Sequence, residues 1–167
     1  MRDLRLLTKG ILMSFAEMVY YNQRRAYKLW LVTPWVSSLE EGVDALCLLI
    51  DSLRGRNCDV ILITRPPKHD WHTRSEELLE TQLNAVVYHC SSLHTKLYIL
   101  ECDGFRGAVL GSPNLTPRAN TFNREIAVEF RTGALSDEDD IGNIINELIC
   151  YTSALRGEND VTLKTVK

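Results

Sequence analysis

The chain has 167 residues, 45% of them hydrophobic, and a formal net charge of −3 at pH 7. This length suits one domain with a substantial core, so we expect a single domain over residues 1–167. The acidic balance argues against a general polyanion binder, and no segment is apolar for long enough to span a bilayer, so no membrane partner is expected.

Helices and strands alternate over the first half of the chain. Apolar residues at helical or strand spacing predict a helix over residues 3–22, a strand at 28–33, a helix over 39–54, a strand at 59–64, a helix near 73–82 and a short strand at 85–88. Strands joined by helices pair in parallel through right-handed crossovers. This half of the chain therefore predicts a parallel sheet.

Three strands without intervening helices follow, at residues 95–101, 107–110 and 125–131. The Asp103-Gly104 pair between the first two is typical of a tight hairpin, which adds antiparallel pairing. A final helix is predicted over 137–153, and the polar tail after about residue 155 is expected to fray. The sequence thus predicts an α/β fold with a mixed, mostly parallel β-sheet flanked by helices on both faces.

The five cysteines and the uneven charge bear on location and partners. The number of cysteines is odd and no CxxC pair occurs, which predicts reduced thiols and a cytoplasmic location. Basic residues prevail over 1–30 and acidic residues over 132–160. Either one basic face meets a phosphate backbone, or both faces are simply solvated.

A histidine and a lysine two residues apart open the fourth predicted strand. Side chains alternate along a strand, so His94 and Lys96 share one face and lie roughly 7 Å apart, close enough to converge on a small anion. Many surface strands carry such a pair, so the pair alone leaves both interpretations open.

Two further polar groups stand at strand ends downstream. Gly111-Ser112-Pro113-Asn114 leaves the fifth strand, where glycine would let the backbone approach a ligand, although such residues also make ordinary turns. Glu125 opens the sixth strand. Together with the histidine and lysine, these groups form a set of five polar side chains at strand ends.

This set resembles the signature of the phospholipase D superfamily, the HKD phosphodiesterases, through His94-x-Lys96, Gly111-Ser112-x-Asn114 and Glu125. The segments 30–35 and 61–67 also resemble the family's first strand and a later strand with its exit loop. One departure is visible, because the family has Asp five positions after the lysine and this chain has Glu101. The resemblance implies a structural role for that acid.

The resemblance also implies a mechanism. His94 would attack phosphorus and form a covalent phosphohistidine that water resolves, with Glu125 orienting the imidazole. Lys96, Ser112 and Asn114 would bind the phosphate oxygens. No metal or other cofactor is required, because the protein supplies the positive charge.

A single motif leaves this chemistry one group short. The leaving oxygen needs a proton, which a second histidine would donate as general acid. Family members with long chains carry two motifs, whereas this chain carries one. A symmetric homodimer would supply the second histidine, with His94 of each subunit facing its counterpart across the two-fold axis.

Two further sets of polar side chains could bind a metal ion or nucleic acid. His69-Asp70-Trp71-His72 lacks a partner cluster at zinc-ligand spacing, so no metal site is predicted. Arg65, Arg118 and Arg124 are candidate nucleic-acid contacts, or ordinary exposed arginines.

Three functions follow from these expectations. The first is a metal-independent nuclease on DNA or RNA, similar to small bacterial nucleases of the superfamily and to nuclease-like parts of DNA-modification or restriction systems. The second is a non-catalytic module on the same fold that binds nucleic acid or a partner. The third is a phosphodiesterase acting on a lipid or small molecule, which the lack of a membrane-docking surface disfavours.

Overall fold

The computed structural model describes residues 2–38, 44–121, 123–133 and 140–164. In chain order the elements are β1 Arg2–Leu7, α1 Ile11–Asn22, β2 Ala26–Val32, α2 Ala45–Leu53, β3 Asp59–Thr64, α3 Asp70–Leu83, β4 Val86–Cys90, β5 Leu97–Cys102, β6 Phe105–Gly111, α4 Pro117–Thr121, β7 Ala127–Thr132, α5 Asp140–Leu155 and β8 Val161–Leu163. The predicted helix residues 39–43 and 137–139 lie outside the described residues.

One eight-stranded sheet runs in the order β1-β7-β6-β5-β2-β3-β4-β8. The mixed sheet is confirmed, but the expectation that it is mostly parallel is wrong. Only β2–β3 and β3–β4 pair in parallel, and the other five pairings are antiparallel. Parallel pairing is confined to the βα repeats, whereas consecutive strands and both chain-terminal strands pair antiparallel.

Both chain-terminal strands correct the sequence interpretation. The N-terminal helix begins only at Ile11, because residues 2–7 pair with β7 as an edge strand. The tail does not fray over its described part, because β8 pairs antiparallel with β4. Lys164, directly after β8, contacts Glu76 at 3.0 Å and Glu80 at 2.7 Å. Short polar segments of this kind give little periodic signal, since their partners are distant in sequence.

The apolar residues form a core on each face of the sheet. Leu31 and Leu62 pack with α1, α2 and α3 on one face, whereas Val32, Ile63 and Ile99 pack with α5 on the other. This alternation follows from strand geometry and confirms helices on both faces. None of the helices within the described ranges is both long and apolar enough to cross a membrane.

Local signals fix several element ends. The Asp44 side chain caps α2 by accepting a hydrogen bond from the Cys47 N–H at 2.8 Å. Gly104 adopts a φ of 73° in the turn between β5 and β6, where Cys102 pairs with Phe105. The predicted hairpin is therefore confirmed, and its register brings the end of β6 back beside the start of β5.

Candidate active site

The candidate site lies at one edge of the sheet, where β2, β3 and β6 end and β5 and β7 begin. Backbone bonds hold these ends together: Gly111 N–H donates to Lys96 O at 3.1 Å, and Arg65 N–H donates to Pro34 O at 3.4 Å. Ligands commonly bind at the carboxyl ends of parallel strands in open α/β sheets. The sequence-predicted residues at positions 94 to 125 gather at this edge, with Glu101 as the exception.

His94 is exposed and contacts Arg65. The Arg65 Nη2 lies 2.9 Å from His94 Nε2, and the Arg65 Nε donates to the carbonyl of Leu93 at 2.7 Å. A guanidinium can only donate, so His94 Nε2 accepts and carries a lone pair. In this contact Nε2 has the acceptor role, which is the role that a nucleophilic ring nitrogen requires.

Lys96 and Tyr98 follow on the same face. Lys96 is half-buried, and its ammonium makes no hydrogen bond or ion pair with the described part of the chain. Tyr98 is buried below it and donates to the carbonyl of Pro113 at 2.7 Å, and burial raises the pKa of its phenol. On the opposite face the Thr95 hydroxyl bonds the Tyr151 hydroxyl at 2.8 Å. β5 begins only at Leu97, so His94 and Lys96 precede the strand that the sequence predicted from residue 95.

Asn114 is held by Thr33, which ends the first parallel strand. The Thr33 hydroxyl donates to the carbonyl of Trp35 at 3.0 Å and accepts from the Leu115 N–H at 3.3 Å. The side-chain oxygen of Asn114 lies 3.4 Å from this hydroxyl. The amide NH₂ of Asn114 bonds no described residue, so it can donate to an anion.

Ser112 and Glu125 contact each other. The Ser112 hydroxyl donates to a Glu125 oxygen and accepts from the Ile126 N–H at 3.0 Å. Asn123 donates to the other Glu125 oxygen at 3.1 Å. The hydroxyl hydrogen of Ser112 is engaged with this carboxylate, and within the described residues no bond joins Glu125 to His94. A phosphate-binding role for Ser112 and an orienting role for Glu125 therefore stay predictions.

Gly111 allows the end of β6 to pack closely against the start of β7. A Cβ here would clash with the carbonyl oxygen of Ile126 and lie 2.5 Å from the Ala127 Cβ. The close approach is to the start of β7, whereas the sequence suggested an approach to a ligand. This packing places Ser112 beside Glu125.

Glu101 lies at the far end of β5, about 20 Å from His94 by strand rise. It is buried, accepts from Trp30 Nε1 at 2.8 Å and contacts the Tyr27 hydroxyl at 3.4 Å. Burial, and then the charge of Glu101, raise the pKa of Tyr27. These contacts join β5 to β2 and lie far from any phosphate at the site.

The two remaining candidate arginines flank the turn. Arg118 lines a cleft with Asn114, and Arg124 lines a second hollow with Lys9 and Glu125. Both arginines are exposed, so they can reach a polyanion without first breaking a buried contact.

The His69–His72 segment begins α3 beside this edge. His72 is buried against the Thr64 hydroxyl at 3.0 Å, and burial lowers the pKa of His72 to about 4. In the described ranges no group of three or more His, Cys, Asp or Glu side chains could hold a metal ion.

Sequence reasoning missed two features of this edge. Thr33 contacts Asn114, and Trp35 packs beside Trp71 with ring centroids 6.2 Å apart. The position of Thr33 at the carboxyl end of a parallel strand was a usable signal. The tryptophan pair had none, since its contact joins the loop after β2 to the first turn of α3, far apart in sequence.

A family model described as "Cardiolipin synthase, PLD-like domain" matches residues 23–140, more than half of the chain. The chain therefore belongs to the phospholipase D-like family, as its motifs predicted. No match was found among curated proteins.

Solved structures of low sequence identity share the fold. Nuc from Salmonella typhimurium, a phospholipase D family member, has a TM-score of 0.68 at 14% identity, covering 98% of this chain and 100% of that one. NucT from Helicobacter pylori gives the same four values. The archaeal chromatin protein TrmBL2 has a TM-score of 0.59 at 11% identity, covering 98% of this chain and 55% of that one.

Proposed function

We propose that the chain is a metal-independent phosphodiesterase that cleaves DNA or RNA. The observation that carries this proposal is the Arg65–His94 contact, since the guanidinium can only donate and Nε2 therefore acts as the acceptor at the family's motif position. Lys96 and the Asn114 amide stand at the same edge with donors directed to no described residue. Such an arrangement supplies a nucleophile and charge neutralisation without a metal.

The proposed reaction proceeds in two displacements. An anionic phosphodiester draws Arg65 from His94 to a phosphate oxygen, which frees the Nε2 lone pair. His94 Nε2 bonds to phosphorus and the bond from phosphorus to the leaving oxygen breaks. A second imidazole, which has left its own Arg65 and taken up a proton from solvent, protonates that oxygen. Water, deprotonated by the same second imidazole, then displaces His94 and completes hydrolysis.

The second imidazole comes from a second copy of the chain. An exposed apolar surface lies on the α5 face of the strands beside the site and supports a homodimer. Its members are Leu4 (60% exposed), Leu6 (66%), Leu110 (38%) and Ile126 (53%). The register sets Leu6 and Leu110 opposite the same residue, Val128, so they line one row. Contiguous exposed apolar side chains of this kind mark interaction surfaces.

A non-catalytic nucleic-acid or partner-binding module is the second candidate. The shared fold with TrmBL2, described as an archaeal chromatin protein with a novel mode of DNA binding, favours it. It requires no proton donor and no dimer. A cytoplasmic setting and a place in a bacterial DNA-modification or restriction system stay predictions from the sequence.

Incubation with DNA and RNA in excess EDTA tests the proposal. We expect wild-type cleavage, with loss of detectable cleavage in His94→Ala and Lys96→Met, because one removes the nucleophile and the other a phosphate ligand. Lys28→Met, at the opposite end of β2 beside Trp30, is the matched control and should cleave normally. EDTA-treated wild type that binds but never cuts would favour the binding module, and turnover of phosphatidylcholine vesicles alone would favour a lipid substrate.

A further inference from the structure

An aromatic cleft adjoins the candidate site. It has a volume of about 650 Å³ and is lined by Trp35, His69, Trp71, Asn114 and Arg118, among others. Asn114 thus belongs both to the phosphate-binding edge and to this cleft. A ligand held at Asn114 would therefore lie in the same cleft as Trp35 and Trp71.

The rings in the cleft are fixed in position. The His69 and Trp71 rings stack with centroids 5.4 Å apart and planes inclined by 17°. Trp71 also stacks on His72, whose ring is buried and bonded to Thr64. The Trp71 side chain is nevertheless 42% exposed. The three stacked rings thus run from buried His72 through Trp71 to exposed His69, where a flat ligand can extend the stack.

The charges beside the rings favour an anionic ligand. The Arg65 guanidinium lies 5.8 Å from the centre of the Trp35 ring while it also bonds His94. Arg118 also lines the cleft. A cationic headgroup such as choline would meet these two positive charges, whereas a nucleotide would place its phosphate near them and its base on the rings.

We propose that Trp71 and His69 form a stacking site for an unpaired base of a single-stranded nucleic acid whose phosphate lies at Arg65 and Asn114. This inference deepens the proposed function and rests on it for the position of the phosphate. Bases within a duplex are already stacked on both faces, so only an unpaired base can present a free face to the cleft. The site thus sets a preference for single-stranded substrate.

Fluorescence anisotropy of a labelled short oligothymidylate in EDTA tests the stacking. We expect Trp71→Ala to weaken binding by about tenfold or more, and Trp71→Phe to retain most of it, because stacking on an aromatic ring requires a ring and no hydrogen bond. Tyr21→Ala is the matched control, since Tyr21 is 78% exposed at the end of α1, beside the β5–β6 hairpin and away from His94. It should bind as wild type.

Wild-type binding to different oligonucleotides gives a second test, which does not depend on whether any variant folds. Wild type should bind an abasic oligomer and a blunt duplex of the same length more weakly than the oligothymidylate. Equal binding of the base-containing and abasic oligomers, or equal binding by Trp71→Ala, would overturn the stacking site. Competition by phosphocholine vesicles but not by oligonucleotide would overturn it in favour of a lipid.

Binding and cleavage separate the two proposals. If no nucleic acid is cut but Trp71→Ala still weakens single-strand binding, the nuclease function fails and the stacking site stands. If DNA is cut at equal rates in single-stranded, abasic and duplex form, the nuclease stands and the stacking site fails.

Discussion

Arg65 donates to His94 Nε2 and so fixes the acceptor role of that nitrogen. Its guanidinium bonds both Leu93 O and His94 Nε2, so it fixes the loop before β5 and the orientation of the imidazole. The sequence suggested only a phosphate contact for this arginine. The hydrogen bond depends on the ends of β3 and β5 meeting across the sheet edge, and a single sequence does not show which loop residues meet.

Arg65→Lys should lower kcat for DNA cleavage by roughly tenfold to a hundredfold. Lysine keeps the charge but loses the planar fork that bonds Leu93 and His94 together, and a single lost oxyanion donor often costs ~10²–10³ in kcat. Steady-state cleavage in EDTA measures the effect. Arg54→Lys, at an exposed arginine paired with Asp51, is the control. Unchanged kcat in Arg65→Lys would remove Arg65 from the mechanism.

Gly111 tests the packing that aligns the serine–glutamate pair. Gly111→Ala should lower the free energy of unfolding by about 1–3 kcal/mol, because the new Cβ would clash with Ile126 O and Ala127. Thermal unfolding measures the change. Gly157→Ala is the control, since its Cβ would make only an ordinary 3.4 Å contact with Ala154 O. A Gly111→Ala protein as stable as Gly157→Ala would contradict the assigned packing.

At the scale of elements, α3 is joined to β4 and β8 by a buried polar network. Glu76 is fully buried on α3 and contacts His89 at 3.1 Å and Lys164 at 3.0 Å. His72, one turn before it, lies 3.5 Å from the same carboxylate. A buried carboxylate needs such partners, since an unpaired charge in the interior is costly. The network explains why residues 161–164 are ordered rather than frayed.

His72 makes stability depend on pH. Its folded pKa of about 4 lies below the ordinary value of 6.5, so the unfolded chain binds a proton that the folded chain excludes. The free energy of unfolding is therefore complete above pH 6.5 and falls as the pH drops toward 4, by up to about 3 kcal/mol. Thr64, Glu76, His89 and Lys164 face or adjoin this ring.

Urea unfolding at a series of pH values measures this dependence. In His72→Gln the fall between pH 6.5 and 4 should shrink, because glutamine can still donate to Thr64 but does not titrate. Thr81→Ala, at an exposed residue of α3 that does not titrate, should keep the wild-type slope. An unchanged slope in His72→Gln would show that another group governs the acid sensitivity.

Element prediction succeeded where periodicity was strong and local. The predicted strand at 59–64 matches β3. The predicted Asp103-Gly104 turn joins β5 and β6 in a hairpin. Leu4 and Leu7 continue the helical spacing of the residues that follow, which predicts helix where the structure has β1. Its strand state depends on pairing with β7, more than a hundred residues away, and tertiary pairing of that kind overrides local pattern.

At the scale of the whole molecule, the proposal requires two copies of the chain. Sedimentation of wild type should give about twice the chain mass of 19.0 kDa. Leu6→Glu should give folded monomers that no longer cleave, because it places a charge in the exposed apolar row. Tyr21→Glu, at a more exposed aromatic residue on α1, should remain dimeric and active. A wild type that cuts DNA as a monomer would refute the shared site.

The motif residues could be predicted to meet because each stands at a strand end, and strand ends share edges in any sheet of this order. Their hydrogen-bond partners could not be predicted. Thr33 against Asn114 and Trp35 against Trp71 join segments that only the complete fold brings together.

The central claim is that His94 bonds covalently to phosphorus without a metal. Rapid acid-free quenching of wild type with a labelled oligonucleotide in EDTA, followed by mass spectrometry of the peptides, tests it most directly. We expect an oligonucleotide joined through its phosphorus to the peptide containing His94, present in wild type and absent in His94→Ala. Steady cleavage with no adduct on that histidine, or cleavage that stops when EDTA is added, would contradict it.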